Sequence, residues 1–513
     1  METTPLLLVL STLILSTLLY ILTTTKRGGG DASHHRLPPG PKGWPMLGNL
    51  PQLGPKPHQT LAALAKTHGP ILRLRLGHVE VVVASSPSAA ASFLKTHDAN
   101  FADRPPNTGG THMAYDRRDL VFAPYGPRWR MLRRLCSLRL FSNKALDEFT
   151  HVREDEVLRM ARSFASASGA LVNVGKRLNA CATDALGRAL MGRRVFGEGR
   201  EGEAEEFKDM VTELMVLAGE FNVGDFVWGL GWLDLQGIVG RMKRLHRRYD
   251  GFLDRIIKEH SMDCSDRKGD FLSVLIGLKD VDGEERLDDV EIKALLLNMF
   301  SAGTDTSSST VEWGLAELIR QPDILKKAQQ ELDSVVGRAR LVSESDLGCL
   351  PYFQAVVKET FRLHPSTPLS IPHMASDDCY VDDYFIPKGT TLFVNVWAIT
   401  HDSKVWPDPL KFDPARFFSD GPAEHMDVKG NNFELIPFGA GRRMCVGLNM
   451  GLRMVQLMLA TLVHGFDWAV DGKVDMEEAY GITLQRAVPL SARPTPRLEP
   501  HVYDGVKGSA ASA

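Results

Sequence analysis

Hydrophobic and polar positions along the chain predict a mainly helical body with small sheets near its two ends. Residues 71–76 (ILRLRL) alternate apolar and charged side chains, and residues 79–84 (VEVVVA) are rich in β-branched residues. This pair predicts a β-hairpin. From about residue 116 to 365 the apolar residues recur mostly with helical spacing, and shorter strand patterns return over 382–396 and near the C-terminus. The order of elements is typical of an α+β fold that is mostly α-helical.

One predicted helix is long and has an unusual centre. It begins at a capping pair, Asp288 and Glu291, and ends before Pro322, which gives about 32 residues and roughly 48 Å. Its centre, residues 301–310, reads SAGTDTSSST. Glycine costs roughly 1 kcal/mol relative to alanine inside a helix, and a helix of this length buries its middle. A buried aspartate among seven hydroxyl residues therefore needs a local use.

An uncharged stretch, residues 5–22 (PLLLVLSTLILSTLLYIL), precedes the body. It has about the length that spans a bilayer, and Lys26 and Arg27 follow it, which predicts a cytoplasmic body. The alternative is a cleaved signal peptide, but no positively charged region precedes the apolar run. We expect a membrane anchor over residues 1–25, a Gly/Pro-rich linker over 26–45, one domain over 46–503 and a disordered tail over 504–513.

Composition narrows the class of protein. The hydrophobic content of 43% and the charged content of 24% are ordinary for a globular protein. The net charge of −3 gives no reason to expect binding to nucleic acid. Six cysteines without C-x-x-C or zinc-site spacing do not indicate a disulfide scaffold. A secreted protein with three disulfides stays open as an alternative, which predicts signal cleavage and oxidised thiols.

The most specific signal lies at residues 438–447, FGAGRRMCVG, which satisfy the pattern F-x-x-G-x-R-x-C-x-G. A chance match to its five fixed positions is on the order of one in ten thousand for such a chain. Glycines let backbone N–H groups approach a sulfur closely and donate hydrogen bonds to it. A lone cysteine in a Gly-rich turn could be a small buried hydrophobic residue. The complete motif favours a thiolate ligand at Cys445.

On this motif the chain resembles the cytochrome P-450 family, the haem-thiolate monooxygenases, from residue 37 to about 502. The resemblance implies the P-450 fold and haem b (iron protoporphyrin IX), with Cys445 as the axial ligand of the iron. The other haem contacts that it implies are Arg443, Phe438, Gly439, Trp129 and Arg133 of a W-x-x-x-R pattern, and His373.

The resemblance also implies a structural network of charged residues. The segment KETFR supplies Glu359 and Arg362, which alone could be an ordinary salt bridge on one helix face. In the family such a pair joins an arginine of a later loop, here Arg416 of FDPARF. Ala415 stands where the family usually has glutamate.

The resemblance gives the centre of the long helix a use. Residues 302–307 (AGTDTS) match the family pattern [AG]-G-x-[DE]-T-[TS]. It implies that small residues leave room for dioxygen, that Thr306 is the alcohol beside it, and that Asp305 relays protons from solvent. An acid and an alcohol in series suit such a transfer. Without the thiolate motif, tight packing of a Ser/Thr-rich helix would be the simpler interpretation.

Electrons must come from a partner, because no G-x-G-x-x-G turn or flavin motif is present. The resemblance implies NADPH as the donor, a membrane-bound NADPH–cytochrome P-450 reductase as the partner, and the endoplasmic reticulum membrane as the location. The basic run 127–140 offers Arg128, Arg130, Arg134 and Arg139 to an acidic flavin domain. A solvated helix face is an equally simple interpretation.

Three further stretches, 109–134, 221–237 and 480–490, resemble plant flavonoid 3′-hydroxylases. This implies O2-dependent hydroxylation of the flavonoid B ring at the 3′ position. The alternatives are a 3′,5′- or 5′-hydroxylase, another plant monooxygenase of phenolics, or a haem-thiolate protein that isomerises or only binds. The implied substrate contacts, each of which could instead be a core residue, are Met113, Tyr115, Phe122, Phe221, Ser301, Thr367, Leu369 and Thr483.

Overall fold

The computed structural model describes residues 11–13, 15–16, 35–195, 201–262, 270–279 and 286–504. The predicted anchor and tail lie almost wholly outside these ranges, as does the first part of the predicted linker. Within the ranges given, no helix combines the length and the apolar composition that crossing a bilayer requires.

The described part of the fold is mainly α-helical. They are α1 (Pro57–His68), α2 (Pro87–Ala91), α3 (Thr108–His112), α4 (Pro127–Arg139), α5 (Asn143–Glu148), α6 (Thr150–Ser166), α7 (Val174–Met191), α8 (Glu201–Gly219), α9 (Val223–Phe226), α10 (Ile238–Met262), α11 (Phe271–Gly277), α12 (Asp289–Arg320), α13 (Pro322–Val335), α14 (Pro351–Leu363), α15 (Val396–Thr400), α16 (Leu448–Gly465) and α17 (Pro500–Asp504). A π-helix covers Ser92–Thr96, and 3₁₀-helices cover Leu50–Gln52, Gly231–Leu233, Glu344–Cys349, Pro414–Phe417 and Gly441–Arg443.

The strands form small sheets at the edges of the helical body. They are β1 (Ile71–Leu76), β2 (Val79–Ala84), β3 (Val172–Asn173), β4 (His373–Met374), β5 (Cys379–Val381), β6 (Tyr384–Ile386), β7 (Thr391–Val394), β8 (Phe466–Ala469), β9 (Glu478–Ala479), β10 (Gln485–Arg486) and β11 (Ser491–Pro496). The larger sheet has the order β1-β2-β7-β4, and β3-β11-β8, β5-β6 and β9-β10 form the others.

The predicted hairpin is confirmed. Strands β1 and β2 pair antiparallel from Ile71–Ala84 to Leu76–Val79, with Gly77-His78 as the turn. Strand β2 then pairs in parallel with β7, so residues 81–84 and 391–394, which are far apart in sequence, share one sheet. Its Val81, Val82 and Val83 are buried, as β-branched residues of a central strand should be.

The long helix is also confirmed and runs through the middle of the fold as α12. Asp288 accepts a hydrogen bond from the Glu291 backbone, and the Glu291 side chain accepts from the Asp288 backbone, which completes a capping box. Helix α12 packs mainly against α7 and α16. It stays α-helical throughout, so the sequence 301–310 causes no break.

Most of the hydroxyl residues at the centre of α12 have a hydrogen-bond partner within the helix. The side chains of Ser301, Thr304, Ser308 and Thr310 each donate to the backbone carbonyl four residues earlier, at 2.6–2.8 Å. This pattern lets buried hydroxyls avoid the cost of an unpaired polar group. It explains how the segment can be both polar and central.

The five cysteines in the described part of the chain, Cys136, Cys181, Cys349, Cys379 and Cys445, are free thiols. Three disulfides among six cysteines would need every one of these five to be paired, and none of the five is.

Candidate active site

A cavity of about 250 Å³ lies between the centre of α12, helix α4 and the loop before α16. The predicted site residues that line it are Trp129, Arg133, Thr306, Thr367, His373, Phe438, Gly439, Arg443 and Cys445.

The backbone of residues 438–447 folds so that Cys445 stands in the cavity wall. The Cys445 N–H donates to the Phe438 carbonyl at 2.9 Å, which closes the loop. Gly441 has φ +70°, and a Cβ atom there would overlap the Leu94 carbonyl oxygen. Only glycine fits this position, because both the φ angle and the space forbid a side chain. The motif glycine is therefore required by the shape of the loop.

The environment of the Cys445 thiol controls its protonation. Cys445 is exposed to the open cavity, but the protein around the cavity limits its solvation and raises the pKa of the thiol. The Gly447 backbone N–H and the charge of Arg133 act in the opposite direction. A bound metal cation would deprotonate the thiol outright, since a coordinating thiol is a thiolate. The backbone donor and the arginine suit a thiolate ligand.

Arg443 has one donor with no partner in the protein. Its Nε donates to the Ala102 carbonyl and one Nη to the Ala123 carbonyl, both at 2.7 Å. Its other Nη is buried with no hydrogen-bond partner. Burial is the main cause that lowers the pKa of Arg443, to about 10. A buried cation with an unused donor beside a cavity fits an anionic group of a ligand.

Trp129 and Arg133 of α4 support the same wall. The Trp129 Nε1 donates to the Leu120 carbonyl at 3.0 Å, so the indole N–H already has a partner within the protein. Its ring lies against the guanidinium of Arg443 at 4.2 Å and that of Arg133 at 5.4 Å. An Arg133 Nη donates to the Met444 carbonyl at 2.6 Å, which ties α4 to the cysteine loop.

His373 lines the cavity as a neutral ring. Its Nδ1 lies 2.8 Å from the Phe101 carbonyl, and burial together with Arg104 and Arg443 lowers its pKa well below the usual value. An anion in the cavity would favour the charged ring, since an opposite charge raises the pKa of histidine.

Arg104 is a cavity residue that the sequence patterns did not identify. It is buried, and its guanidinium donates to the carbonyls of Val121, Ile371 and Pro372 at 2.7–3.1 Å. It thereby joins two chain segments that line the cavity at Val121 and Ile371. In the sequence, Arg104 is an arginine before two prolines (FADRPPN). Nothing in this pattern distinguishes it from an ordinary loop residue.

The donor set fits haem with its carboxylate side groups. Arg104, Arg133 and Arg443 bring three cations to one cavity, and Cys445 supplies one potential thiolate. Buried charges need partners, and two propionates together with a thiolate would supply three negative charges. The unpaired Nη of Arg443 is the direct sign that an anion belongs there.

Helix α12 presents Ala302 and Thr306 to the cavity. The Thr306 hydroxyl donates to the Ala302 carbonyl at 2.6 Å and can rotate toward a ligand. The resemblance implied that small residues such as Gly303 leave room for dioxygen. In the structure, a Cβ atom at residue 303 would lie 2.9 Å from Leu186 Cδ2 of α7. The small size of Gly303 therefore serves the close approach of α7 and α12, while Ala302 leaves the space.

Asp305 is not in the cavity wall. Its buried carboxyl accepts hydrogen bonds from Thr483 Oγ1 at 2.8 Å and from Gln485 Nε2 at 2.9 Å. Burial is the main cause that raises its pKa, while the two donors and Lys208 act against it. The structure thus separates Thr306, which faces the cavity, from the acid that precedes it.

The predicted substrate residues fall into two groups. Thr367 lines the main cavity, and Phe122, Phe221 and Leu369 line a second cavity of about 120 Å³. Ser370 lines both cavities, so the two cavities adjoin at this residue.

The remaining predicted substrate residues, Met113, Tyr115, Ser301 and Thr483, line neither cavity. The Tyr115 hydroxyl donates to Asp250 at 2.8 Å, and Ser301 is bonded within α12. Their side chains fill the core or hold neighbouring elements. The resemblance gave only their positions in the chain, and these do not show whether a side chain faces a cavity.

The charged residues that were predicted to form a network around α14 contact one another in the structure. Arg362 donates to both oxygens of Glu359 at 2.6 and 2.7 Å, and both residues are fully buried. Arg416 Nε lies 3.4 Å from Glu359, and the Asp413 N–H donates to the same oxygen at 2.8 Å. Ala415 therefore does not prevent the contact.

Comparisons with known proteins agree with this geometry. Residues 38–489 match the family described as Cytochrome P450. The chain is 66% identical to a flavonoid 3′-monooxygenase of Crocosmia x crocosmiiflora, over 91% of this chain and 94% of the relative. It is 60% identical to a flavonoid 3′-monooxygenase of Arabidopsis thaliana, over 92% and 94%. A flavonoid 3′,5′-hydroxylase of Crocosmia x crocosmiiflora is 57% identical over 91% and 92%. This chain belongs to the cytochrome P450 family, whose cofactor is a thiolate-bound haem.

Proposed function

We propose that this protein is a flavonoid 3′-monooxygenase, which hydroxylates the B ring of flavonoids such as naringenin, dihydrokaempferol, kaempferol and apigenin. The high identity to two flavonoid 3′-monooxygenases carries the substrate assignment. The cavity with Cys445 in its wall and Thr306 on α12 supplies the setting for the reaction.

In this proposal Cys445 binds the haem iron, and Arg443, Arg104 and Arg133 neutralise the negative charge of the bound group. Phe438 and Gly439 form the wall beside it. Bound through a thiolate, haem supplies dioxygen activation with electrons from a partner, so that one oxygen atom enters a C–H bond and the other leaves as water. The side chains supply the binding site for the anionic groups of haem, the shape of the cavity and the protons that the reaction needs.

Thr306 is the group that we assign to hydrogen bonding beside dioxygen. Its hydroxyl donates to the Ala302 carbonyl, and it can give up this bond and turn toward the cavity without leaving α12. Asp305 is the nearest acid along the chain and is kept protonatable by burial, which raises its pKa. A proton could pass from Asp305 toward Thr306 only after the carboxyl leaves its hydrogen bonds with Thr483 and Gln485.

The second cavity suits a flat aromatic substrate. Phe122, Phe221 and Leu369 line it, and the rings of Phe221 and Phe393 lie 6.1 Å apart. Aromatic and apolar walls bind planar polyphenols through burial and ring contacts. We assign these residues to the approach of the substrate and Thr367 to the reacting end.

The electron donor in this proposal is an NADPH–cytochrome P-450 reductase. Arg130, Arg134 and Arg139 of α4 are exposed. Arg128, the fourth arginine of the run, donates to Glu291 of α12 at 2.7 Å and thus has a structural contact. The exposed three are the better candidates for an acidic partner.

The proposed location is the endoplasmic reticulum membrane, with the catalytic domain in the cytoplasm. The apolar run 5–22 supports an anchor. Large apolar side chains of the segment after α9 are also exposed, with Trp228 at 77% and Trp232 at 81%. Such a patch fits a membrane surface better than water.

The experiment uses yeast microsomes that contain this protein and a plant reductase. NADPH is supplied with naringenin, apigenin or eriodictyol, and products are identified by mass and retention against standards. One oxygen added to naringenin at the 3′ position, with eriodictyol unchanged, supports the proposal. Oxygenation of eriodictyol instead supports a 3′,5′-hydroxylase, the activity named for the 57% identical relative. A normal thiolate–carbon monoxide spectrum without product from any flavonoid contradicts both.

A further inference from the structure

The segment 119–123 (DLVFA), between α3 and α4, forms part of the wall of both cavities although it has no regular secondary structure. Leu120 and Val121 line the main cavity, and Phe122 lines the second. Irregular backbone cannot use the hydrogen bonds of a helix or a sheet, so its polar groups need other partners. The position of this part of the wall therefore depends on the side chains that bind its backbone.

The carbonyl groups of the segment are bound by side chains of the main cavity. The carbonyls of residues 120, 121 and 123 each accept a hydrogen bond, at 2.7–3.1 Å, and the donors are Trp129, Arg104 and Arg443 respectively. All three donors line the main cavity. These contacts attach the segment to the part of the cavity that fits haem.

The N–H groups of the segment are bound by Asn298 of α12 together with Asp119. Asn298 Oδ1 accepts from the Leu120 N–H at 2.8 Å and from the Val121 N–H at 3.3 Å. Asn298 Nδ2 donates to Asp119 Oδ2 at 3.0 Å, and Asp119 Oδ1 accepts from the Phe122 N–H at 2.8 Å. Asn298 and Asp119 are both buried, which protects these bonds from competition by water.

The two members of this pair lie differently with respect to the ligand space. Asn298 precedes Ala302 by four residues and Thr306 by eight, and all three line the main cavity from one face of α12. Asp119 lines neither of the two cavities. A substitution at Asp119 can therefore affect a bound substrate only through the segment or through Asn298.

The carboxyl of Asp119 also takes part in the charge balance of the cavity. Burial raises its pKa to about 6, against the effect of the Asn298 amide and of the backbone donors, so it is mostly ionised at neutral pH. Burial lowers the pKa of Arg104 and Arg443, and the charge of Asp119 opposes this. A fair test of the hydrogen bonds should therefore keep one carboxylate in the pair.

We propose that Asp119 and Asn298 are positioning residues, which hold segment 119–123 against α12 and thereby set where the reacting ring of the substrate lies. This inference rests on the proposed oxygenase function. Release of the segment would move the wall of the main cavity and that of the second cavity together. Because a misplacement of about 1 Å can cost on the order of a hundredfold in rate, small movements of this wall matter.

Two competing explanations make different predictions. If Asn298 instead contacts the substrate directly, only the side chain at residue 298 matters, and no change at residue 119 can compensate for its loss. If the pair only stabilises the fold, substitutions lower the unfolding temperature and leave the position of hydroxylation unchanged. The positioning role predicts that the two residues can exchange places.

The test compares single variants with the exchanged pair Asp119→Asn/Asn298→Asp. In the exchanged pair the amide still donates to the carboxylate, and the N–H groups of residues 120, 121 and 122 all keep an acceptor. Asn298→Asp alone places two carboxyl oxygens where the 3.0 Å hydrogen bond was, and Asp119→Asn alone places two amide groups there. Ser308→Ala is the control, because it removes a buried hydrogen bond within α12 and leaves the segment untouched.

All variants are measured as haem-loaded protein with reductase. For each single variant we expect product per NADPH to fall by on the order of tenfold and hydroxylation to spread beyond the 3′ position. The exchanged pair should recover most of both, and Ser308→Ala should match the wild type. Wild-type behaviour of both single variants overturns the proposal, as does an exchanged pair no better than Asn298→Asp. If a single variant does not bind haem, Asn298→Ser, whose hydroxyl is too short to reach Asp119, provides the same measurement.

Hydrogen exchange of the resting, haem-loaded protein without flavonoid keeps this inference separate from the substrate assignment. The amides of residues 120, 121 and 122 are the ones that the pair accepts. We expect them to exchange about five- to tenfold faster in each single variant, and at the wild-type rate in the exchanged pair and in Ser308→Ala. Unchanged exchange in the single variants contradicts the positioning role even if flavonoids are hydroxylated. Faster exchange that the exchanged pair reverses supports it even if no flavonoid is a substrate.

Discussion

The cysteine loop, residues 438–447, and the centre of α12, residues 301–310, form two opposite parts of one cavity by different means. In the loop, glycines with φ near +70° at positions 439 and 441 let the backbone place Cys445. In the helix, the backbone is regular, and side chains alone decide what faces the cavity. One part is therefore specified by backbone geometry and the other by side-chain partners.

This difference determines how each part responds to substitution. The loop has little freedom, because a Cβ atom at Gly441 would overlap the Leu94 carbonyl and the carboxyl of Asp98. The helix can change a hydroxyl or a carboxyl without losing its hydrogen-bond ladder. Substitutions in the loop should remove the cofactor, whereas substitutions in the helix should keep the cofactor and alter the chemistry.

The largest effect is expected for Cys445→Ala, which removes the only thiol that the described cavity wall contains. The thiolate–carbon monoxide absorption should be lost, and with it all hydroxylation, because alanine offers no ligand. Cys136→Ala is the control, since Cys136 is buried in α4 and lines no described cavity. A normal spectrum in Cys445→Ala would show that the ligand is elsewhere.

Gly441→Ala should be nearly as damaging, since the new Cβ atom would overlap the Leu94 carbonyl oxygen and lie 2.6 Å from Asp98 Oδ1. Gly337→Ala is the matched control, because Gly337 has φ +80° and a methyl group added there would have nothing within 4 Å. The control should lose only about 1–2 kcal/mol of stability from its positive φ. We expect Gly441→Ala to lose several times more, measured by thermal unfolding and haem content. Equal losses would mean that the close approach is unimportant.

Thr306→Ala tests the helix side of the comparison. The protein should bind haem and carbon monoxide normally, because α12 and the cysteine loop are untouched. Product formed per NADPH should fall by on the order of tenfold or more, with peroxide formed instead, since a positioned proton-transfer group contributes at least this much.

Thr304→Ala is the control for this prediction, because Thr304 is fully buried and its hydroxyl donates to the Phe300 carbonyl. It should keep the wild-type ratio of product to NADPH. The prediction is wrong if Thr306→Ala keeps the wild-type amount of product per NADPH, or if both variants lose it equally. Thr306 would then have no specific role beside the bound oxygen.

The same contrast explains what could be predicted from the sequence. The β1–β2 hairpin and the limits of α12 were predictable because alternation and the Asp288–Glu291 capping box act over a few residues. The cysteine loop was predictable because its function needs fixed residue types at fixed spacing. In these cases the physical cause is local in sequence.

The surroundings of Asp305 were not predictable for the opposite reason. Its partners Thr483 and Gln485 reach it only after the chain has folded, and no period in the sequence connects them. Arg104 was missed because a buried arginine that donates to three carbonyls looks the same in sequence as an exposed one. Contacts between distant segments have to be read from the fold.

The smallest expected effect concerns Gly303, where the helix centre meets α7. Gly303→Ala gains about 1 kcal/mol of helix propensity, but the new methyl would lie 2.9 Å from Leu186 Cδ2. Since that atom is the end of a side chain, it can move, and we expect a net change in the free energy of unfolding within about 1 kcal/mol of zero.

Combining Gly303→Ala with Leu186→Ala removes the obstacle while keeping the propensity gain, so the double variant should be more stable than Leu186→Ala alone by up to about 1 kcal/mol. Urea unfolding of the four proteins, with haem content recorded for each, gives the coupling between the two sites. Hydroxylation should change little, because the new methyl points toward α7 and Thr306 keeps its place on the cavity side. If Gly303→Ala instead loses haem or forms less product per NADPH, the space at residue 303 belongs to the cavity. The helix side would then tolerate substitution as poorly as the cysteine loop does.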